Sequence, residues 1–168
     1  MSTKTVIERI ALEIVTRLES ITTTNGYSFT VCSVVRPDRL GQLIVPEHYG
    51  IVVTQGDTNE VEELSHPGNP PAIAYETTFS IHCFVRDSDK NPTAFDPAVN
   101  EVAGQIVKAL RLRAADASRW TSMAELAIDS TIKAIKPYPE SDGTHSGVTI
   151  PLTVLFRHSE GNPYEVRA

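Results

Sequence analysis

The stretch IAYETTFSIHCFV, residues 73–85, decides the fold class of this chain. Its odd positions are mostly large and apolar, whereas its even positions include Glu76, Ser80 and His82. Successive side chains of a β-strand point to opposite faces of the sheet, so this period of two predicts a long strand with one buried face and one partly wet face. The predicted core set is Ile73, Tyr75, Thr77, Phe79, Ile81, Cys83 and Val85.

Two amphipathic helices are predicted, one before and one after this strand. Over residues 5–22, apolar residues recur every three or four positions, and Glu13 and Arg17 form an i,i+4 pair on the opposite face. The second helix is expected to start with Asp96 as its N-cap and Pro97 in its first turn. Both helices therefore have one apolar face to lay on a sheet.

Four further strands are predicted from β-branched runs and turn residues. Asn25-Gly26 separates the first helix from the first strand, and Gly56-Asp57 is expected to close the second strand as a turn. Pro151 interrupts the last strand, which predicts a sheet edge or a bulge there because proline cannot donate a ladder hydrogen bond. A long hairpin containing Pro137 and Pro139 joins the last two strands. The four predicted ranges are 27–36, 49–55, 126–135 and 148–156.

The predicted order of elements is therefore α-β-β-β-α-β-β. This order indicates an α+β fold: a single mixed, mainly antiparallel sheet with two helices packed on one face. We expect one domain over residues 1–168, because a chain of this length buries enough surface to fold alone. A flexible C-terminal tail is expected over residues 158–168.

Composition excludes several classes of protein. Lys plus Arg number 15 against 21 Asp plus Glu, a formal charge of −6, which argues against a protein that wraps DNA or binds an anionic membrane. No uncharged apolar run is as long as a membrane span, which needs about 18 residues. Cys32 and Cys83 lie far apart in sequence, which excludes a zinc ribbon and favours buried thiols in a reducing compartment.

No catalytic, metal or cofactor motif is present in the sequence. The glycines never form a phosphate-binding loop, and the five histidines lack the spacing of metal ligands. Residues 87–91 imitate the start of a calcium loop, but Pro92 replaces the required glycine. His82 and Cys83 are consecutive in a strand and therefore point to opposite faces, so they cannot share a proton. We predict no enzyme activity and no cofactor.

The remaining candidate feature is an acidic loop predicted over residues 57–71, which is long enough to suggest a function. Basic residues lie near residue 36 and near the end of the second helix. Solvation of an ordinary surface is one interpretation. The other is that the basic group at 111–119 meets the acidic loop of a neighbouring copy, since head-to-tail contacts of opposite charge can close into rings. The candidate interface or lumen residues are Arg36, Arg39, Asp57, Glu60, Glu62, Glu63, Arg111, Arg113 and Arg119.

The layout of the whole chain resembles the tail-terminator and tail-completion proteins of long-tailed, lambda-like phages. None of the segments that carry this resemblance is a diagnostic motif, so no functional residue of the family can be transferred singly. The segments are GYSFTV at 26–31, YGIVVTQGD at 49–57, FSIHCFV at 79–85, IVKALR at 106–111 and GNPYE at 161–165.

The resemblance implies a structural virion protein of the tail and neck, assembled in the host cytoplasm. Such a protein forms a homo-oligomer, expected to be a hexameric ring, that caps the tail tube protein and joins it to the head or neck connector protein. Genomic DNA passes through the lumen without sequence-specific binding, and no membrane is involved. An acidic lumen would repel DNA phosphates during transit.

Three alternatives remain open on the sequence alone. The chain could be a neck or head-completion subunit or a tail-tube component, although the segment 37–48 is a poor candidate for the long hairpin that tube proteins extend. It could be a small enzyme with a site assembled from scattered residues such as Glu76, Thr78 and His82. It could also be a bacterial ligand-binding module, which would contain a large apolar cavity.

Overall fold

A computed structural model describes residues 3–37, 49–86, 95–111, 123–139 and 145–167. The described part contains two α-helices, seven strands and two short 3₁₀ turns, at Thr23–Asn25 and Glu62–Leu64. The predicted α+β class is confirmed, with two more strands than expected. The elements are α1 (Val6–Glu19), β1 (Ser33–Val35), β2 (Gly50–Glu60), β3 (Ala72–Arg86), α2 (Phe95–Arg111), β4 (Asp129–Ile132), β5 (Lys136–Pro139), β6 (His145–Ser159) and β7 (Asn162–Val166).

The strands form one mixed sheet in the order β1-β2-β3-β6-β4, and β5 and β7 also pair with β6. Among the strands of the described residues, only the β1–β2 pair is parallel, which confirms a mainly antiparallel sheet. The β3–β6 ladder forms the centre of the sheet. It runs without a break from Ala72 opposite Ser159 to Arg86 opposite His145. The strand predicted from residues 73–85 is thus the centre of the sheet.

Both helices lie against one face of the sheet and share one hydrophobic core with it. In β3, Phe79, Ile81 and Cys83 are fully buried, as their alternation predicts. Thr5 is the N-cap of helix α1, and its hydroxyl oxygen accepts a hydrogen bond from the Glu8 N–H at 3.3 Å. Its predicted range of 5–22 is too long, because the helix ends at Glu19. Helix α2 begins at Phe95 and so includes Asp96 in its first turn.

The strand predicted over 27–36 is wrong except at Ser33–Val35. Tyr27 and Phe29 are buried, and the Phe29 ring lies 4.5 Å from that of Tyr49, centroid to centroid. The Val31 N–H donates to the Ile21 carbonyl at 2.9 Å, outside any ladder. The alternating apolar residues in this segment are buried in the shared core, but the apolar period alone does not show which backbone is paired.

The predictions for the last strands also need correction. The strand predicted over 126–135 is only the four-residue β4, and Pro137 and Pro139 lie in β5 rather than in a hairpin connection. Strand β5 is paired on one side only among the described residues, and that is where proline is tolerated. Strand β6 is not an edge. Pro151 lies opposite Ser80 on one side and, on the other, between the stretches paired with β4 and β5.

The C-terminal end of the described chain belongs to the sheet. His158 pairs with Val166 and Ser159 with Asn162, which forms a β6–β7 hairpin. Val166 packs against the core. The segment predicted as a flexible tail over 158–168 therefore contributes to the sheet as far as Val166.

Candidate functional site: the acidic hairpin arm

The β2–β3 hairpin has a buried base and an exposed distal part. Residues 50–53 at the start of β2 are buried, whereas every residue from Gln55 to Glu60 is exposed. We call residues Gln55–Thr77 the hairpin arm. In the arm, the β2 strand is exposed to solvent on both faces of the sheet.

A β-bulge marks the point where the arm leaves the core. Gln55 pairs with Phe79 and Thr58 pairs with Thr77, so β2 has one residue more than β3 across this step. Gly56 lies in the bulge, and a Cβ atom added there would be 3.1 Å from the Thr78 carbonyl oxygen. The Gly56-Asp57 pair predicted to end the strand is thus a bulge, and the strand continues to Glu60.

Hydroxyl groups fix the backbone on the far side of the bulge. The Thr58 and Thr77 hydroxyl groups are hydrogen-bonded to each other, and Thr77 donates to the Asp57 carbonyl oxygen at 3.1 Å. Thr77 is 1% exposed, although its partner strand is exposed. This buried hydroxyl is satisfied within the arm, so it stabilises the bulged geometry.

The connection at the end of the arm is also held by hydrogen bonds. The Val61 N–H donates to the Ala74 carbonyl at 2.9 Å, and the Ala74 N–H donates to the Ser65 hydroxyl oxygen at 3.1 Å. His66 and Ala72 exchange two backbone hydrogen bonds of 2.8 and 3.0 Å. The prediction of one long loop over 57–71 is therefore wrong, because a strand exposed on both faces lacks the apolar period that reveals strands in sequence.

The β6–β7 hairpin supports the arm from the adjacent position in the sheet. The Glu160 N–H donates to the Pro71 carbonyl at 2.9 Å, and the Arg157 Nε donates to the Leu64 carbonyl at 3.0 Å. The Tyr75 ring stacks on the His158 ring at 4.8 Å between centroids. Sequence reasoning missed these contacts, since they join positions more than 80 residues apart.

The arm presents a group of exposed carboxylates. All four acidic residues predicted as candidates, Asp57, Glu60, Glu62 and Glu63, are exposed and lie on the arm. Glu76, on the arm, and Glu160, on the hairpin that supports it, are exposed too, and the sequence analysis did not count them with the acidic segment. Among the described residues, none of the six forms an ion pair. The result is an acidic surface at one end of the sheet.

The predicted basic residues are not brought together with the arm. Arg36 forms an ion pair with Glu8 at 2.8 Å and so joins the end of β1 to α1. Arg111 is exposed at the end of α2, next to Leu110, whose carbonyl accepts a hydrogen bond from Arg17. Arg39, Arg113 and Arg119 lie outside the described residues.

The residues considered for a scattered enzyme site do not share one hydrogen-bond network. A ring nitrogen of His82, Nδ1, is 2.9 Å from the Thr149 hydroxyl oxygen, and the Thr78 hydroxyl is 3.2 Å from that of Thr153. Glu76 on the same face is exposed. Burial lowers the pKa of His82 and raises the pKa of Cys83, on the opposite face, to about 12. His82 lies beside the Thr149 hydroxyl and Cys83 lies in the core, so the two side chains point apart, as predicted.

Two further observations concern ions and membranes. Within the described ranges, no group of three or more His, Cys, Asp and Glu side chains is arranged to hold a metal ion. In the same part of the chain, no helix is both long and apolar enough to cross a membrane.

Comparison with known proteins gives no assignment. The chain matches no protein-family model, and it matches no curated protein.

Proposed function

We propose that this protein is a structural subunit of a long-tailed phage virion, a tail terminator that caps the tail tube as a ring and connects it to the head or neck. The single observation that carries the proposal is the hairpin arm. Its two paired strands and the connection between them expose five carboxylates, none of which forms an ion pair among the described residues. The layout resemblance across the chain supplies the class of assembly.

The arm suits a subunit of a ring through which DNA passes. Exposed carboxylates clustered on one part of the surface create a negative potential, which repels the phosphate backbone. A transit channel needs this property, because DNA that adheres to the wall would not move. The same carboxylates can instead meet a neighbouring subunit, where opposite charge would set the register of the contact.

The arm is also built as a shaped element. Its bulge, its threonine pair and its contacts with the β6–β7 hairpin hold the exposed strand in one geometry. A pre-ordered surface loses little conformational entropy when a partner binds, which favours tight and specific assembly. The function proposed is therefore recognition by shape and charge, with no chemical transformation.

Imaging of virions that carry a labelled copy of the protein tests the proposal. We expect the label at one position per particle, at the junction of tail and head. Phage that lack the protein should form tubes of irregular length without attached heads, because nothing stops tube growth. A label absent from particles, or tails of normal length in its absence, would overturn the terminator assignment.

One observation favours a second candidate, a tail-tube component. The objection from sequence was that residues 37–48 form a poor hairpin, but the long hairpin of this chain is β2–β3. Tube subunits repeat along the tail, whereas a terminator occupies one end. A label distributed along the whole tail would therefore favour the tube component over the terminator.

A further inference from the structure

Among the described residues, the face of the sheet opposite the two helices is uncovered. The core side chains of α1 and α2 pack with Phe79, Ile81 and Ile150, which share one face of β3 and β6. The intervening residues of these strands point to the other face, and none of them belongs to this core. We call this surface the open face. Its central residues, all half-buried or exposed, are Glu76, Thr78, Ser80 and His82 of β3 and Thr149, Pro151, Thr153 and Leu155 of β6.

The centre of the open face carries no charge. Ser80 pairs with Pro151, and Thr78 pairs with Thr153, whose neighbour on β4 is Thr131. The hydroxyl groups of Thr78 and Thr153 are hydrogen-bonded to each other at 3.2 Å. Because these two hydroxyls have a partner within the sheet, removing them from water costs less free energy. A surface of this kind suits the centre of a protein–protein contact, where charged residues are depleted.

Charged side chains lie in two rows, one at each end of this uncharged centre. Lys136 is exposed in one row, which we call the lysine row, and Glu76 and Asp129 are exposed in the other, the acidic row. Among the described residues, none of these three side chains forms an ion pair. The lysine row consists of Val52, His82, Thr149 and Lys136, and the acidic row consists of Asn59, Glu76, Leu155 and Asp129.

A two-fold rotation relates the positions of the two rows. The row through Phe79 and Leu152 lies midway between them. When a second copy is turned over about an axis parallel to that midway row, its lysine row faces the acidic row of the first copy. Lys136 of each copy then lies opposite Asp129 of the other, and His82 lies opposite Glu76. The open face is therefore complementary to itself in charge.

A different two-fold arrangement lacks this complementarity. An axis along the strands, between β3 and β6, would exchange β2 with β4 and β5 and would keep each row opposite itself. Lys136 would then lie opposite Val52, and Asp129 would lie opposite Asn59. Neither charged side chain would gain a partner of opposite sign. The charges therefore favour the axis that runs across the strands.

We propose that the open face binds the open face of a second copy of this chain, with the two-fold axis running across the strands. The uncharged centres of the two copies meet, and the lysine row of each copy meets the acidic row of the other. The contact is isologous and closes at two copies, so it is distinct from the head-to-tail contact that a ring needs. The inference goes beyond the proposed function and does not depend on it.

The spacing of packed sheets is compatible with these charge pairs. Two sheets that pack face to face lie about 10 Å apart, a distance that an extended lysine and an aspartate side chain together can span, and their strands cross at about 30°. From the lysine row to the acidic row the patch is about 24 Å long, and its four strands are about 19 Å wide. This is a small protein–protein contact, so we expect a dimer that forms at micromolar or higher concentrations.

A charge exchange in the full-length protein tests the contact. Lys136→Asp and Asp129→Lys should each weaken dimerisation by about tenfold in analytical ultracentrifugation, because each variant places two pairs of like charges in the contact. An equal mixture of the two variants should recover most of the dimer, since one chain is then negative at both positions and the other is positive at both. Misfolded chains could not produce this recovery.

The matched control changes charge on the helix side of the molecule. Lys4→Asp and Glu19→Lys, at exposed positions beside and on α1, make the same changes in net charge and should dimerise like wild type. Weakening by the control variants to the same extent would overturn the inference. So would wild-type protein that stays monomeric up to about 1 mM, or a mixture of the Lys136→Asp and Asp129→Lys chains that dimerises no better than either chain alone.

The two proposals fail in different ways. Wild-type protein that forms rings but no dimer, with Asp129→Lys assembling like wild type, would overturn the open-face contact and leave the terminator function standing. A dimer that responds to the charge exchange, formed by a protein that is absent from virions, would support the open-face contact and overturn the terminator function.

Discussion

The Arg36 guanidinium donates two hydrogen bonds to the Glu8 carboxylate, of 2.8 and 3.1 Å, and so ties the end of β1 to the first turn of α1. The sequence makes Arg36 a candidate for a subunit interface or the lumen, with solvation of an ordinary surface as the other interpretation. Its partner within the chain gives it a structural role, in which the negative charge of Glu8 also stabilises the positive end of the helix dipole.

We therefore predict that Arg36→Ala lowers the free energy of unfolding by about 0.5 to 1 kcal/mol, a small amount because both side chains are partly exposed. A double-mutant cycle with Glu8→Gln, followed by urea unfolding, should give a coupling of similar size. Self-association measured at a concentration where all variants are folded should stay at the wild-type level. A loss of self-association without a loss of stability would contradict this structural role and show that Arg36 lies in a subunit interface.

The bulge at the base of the arm gives a prediction about Gly56. A Cβ atom there would lie 3.1 Å from the Thr78 carbonyl oxygen, which is tighter than an ordinary van der Waals contact. Gly56→Ala should therefore strain the bulge and speed hydrogen exchange of the amides over 57–61. Gly104→Ala is the matched control, since a Cβ atom there meets nothing within 4 Å and the helix should gain about 0.5 to 1 kcal/mol. Equal exchange in the Gly56→Ala variant and wild type would contradict the close approach.

The regular part of this fold could be predicted from local periodicity. Phe79, Ile81 and Cys83 alternate with polar residues and are buried, and the four-residue spacing of Ile10, Ile14 and Leu18 marks the buried face of α1. In both cases one face of the element is buried, and the apolar residues recur with the period of that face.

The pattern fails where burial and pairing do not coincide. Tyr27 and Phe29 alternate and are buried, yet their segment is not a strand. The distal part of β2 is paired with β3 but exposed on both faces, so its polar sequence predicts a loop. The sequence therefore does not show that Asp57 and Glu60 lie on a strand. Contacts such as that of Arg157 with Leu64 join distant segments and leave no local signal.

His82 gives a prediction about acid sensitivity. Burial lowers the pKa of His82 below its ordinary value of 6.5, so the folded chain holds the ring neutral where the unfolded chain already binds a proton. The free energy of unfolding should therefore fall as the pH drops below about 6.5, and this contribution should be absent in His82→Gln. Urea unfolding between pH about 7.5 and about 5.5 measures it. His66→Gln, an exposed position, is the control, and a wild-type slope in His82→Gln would refute the assignment.

Cys83 gives a prediction about stability at alkaline pH. Burial raises its pKa from 9.0 to about 12, so the unfolded chain loses the thiol proton at a lower pH than the folded chain. Stability should fall above about pH 9 by up to about 1.4 kcal/mol per pH unit, and Cys83→Ala should lack this component although it is less stable overall. In the native protein a thiol reagent should label only the exposed Cys32, and Cys83 should react after unfolding. Rapid labelling of both thiols under native conditions would contradict this burial.

The acidic arm itself predicts a loss of assembly without a loss of folding. Glu60, Glu62 and Glu63 are exposed, so replacing all three by glutamine removes charge while the melting temperature should stay close to wild type. Ring formation in solution, or infectivity in a complementation assay, should decrease, because the charge that steers partners or repels DNA is gone. The matched control replaces Glu19, Glu101 and Glu125, which are exposed elsewhere, and removes the same net charge. If both triple variants assemble and complement like wild type, the arm has no charge-dependent function. If both variants fail to the same extent, the loss is due to net charge and not to the arm.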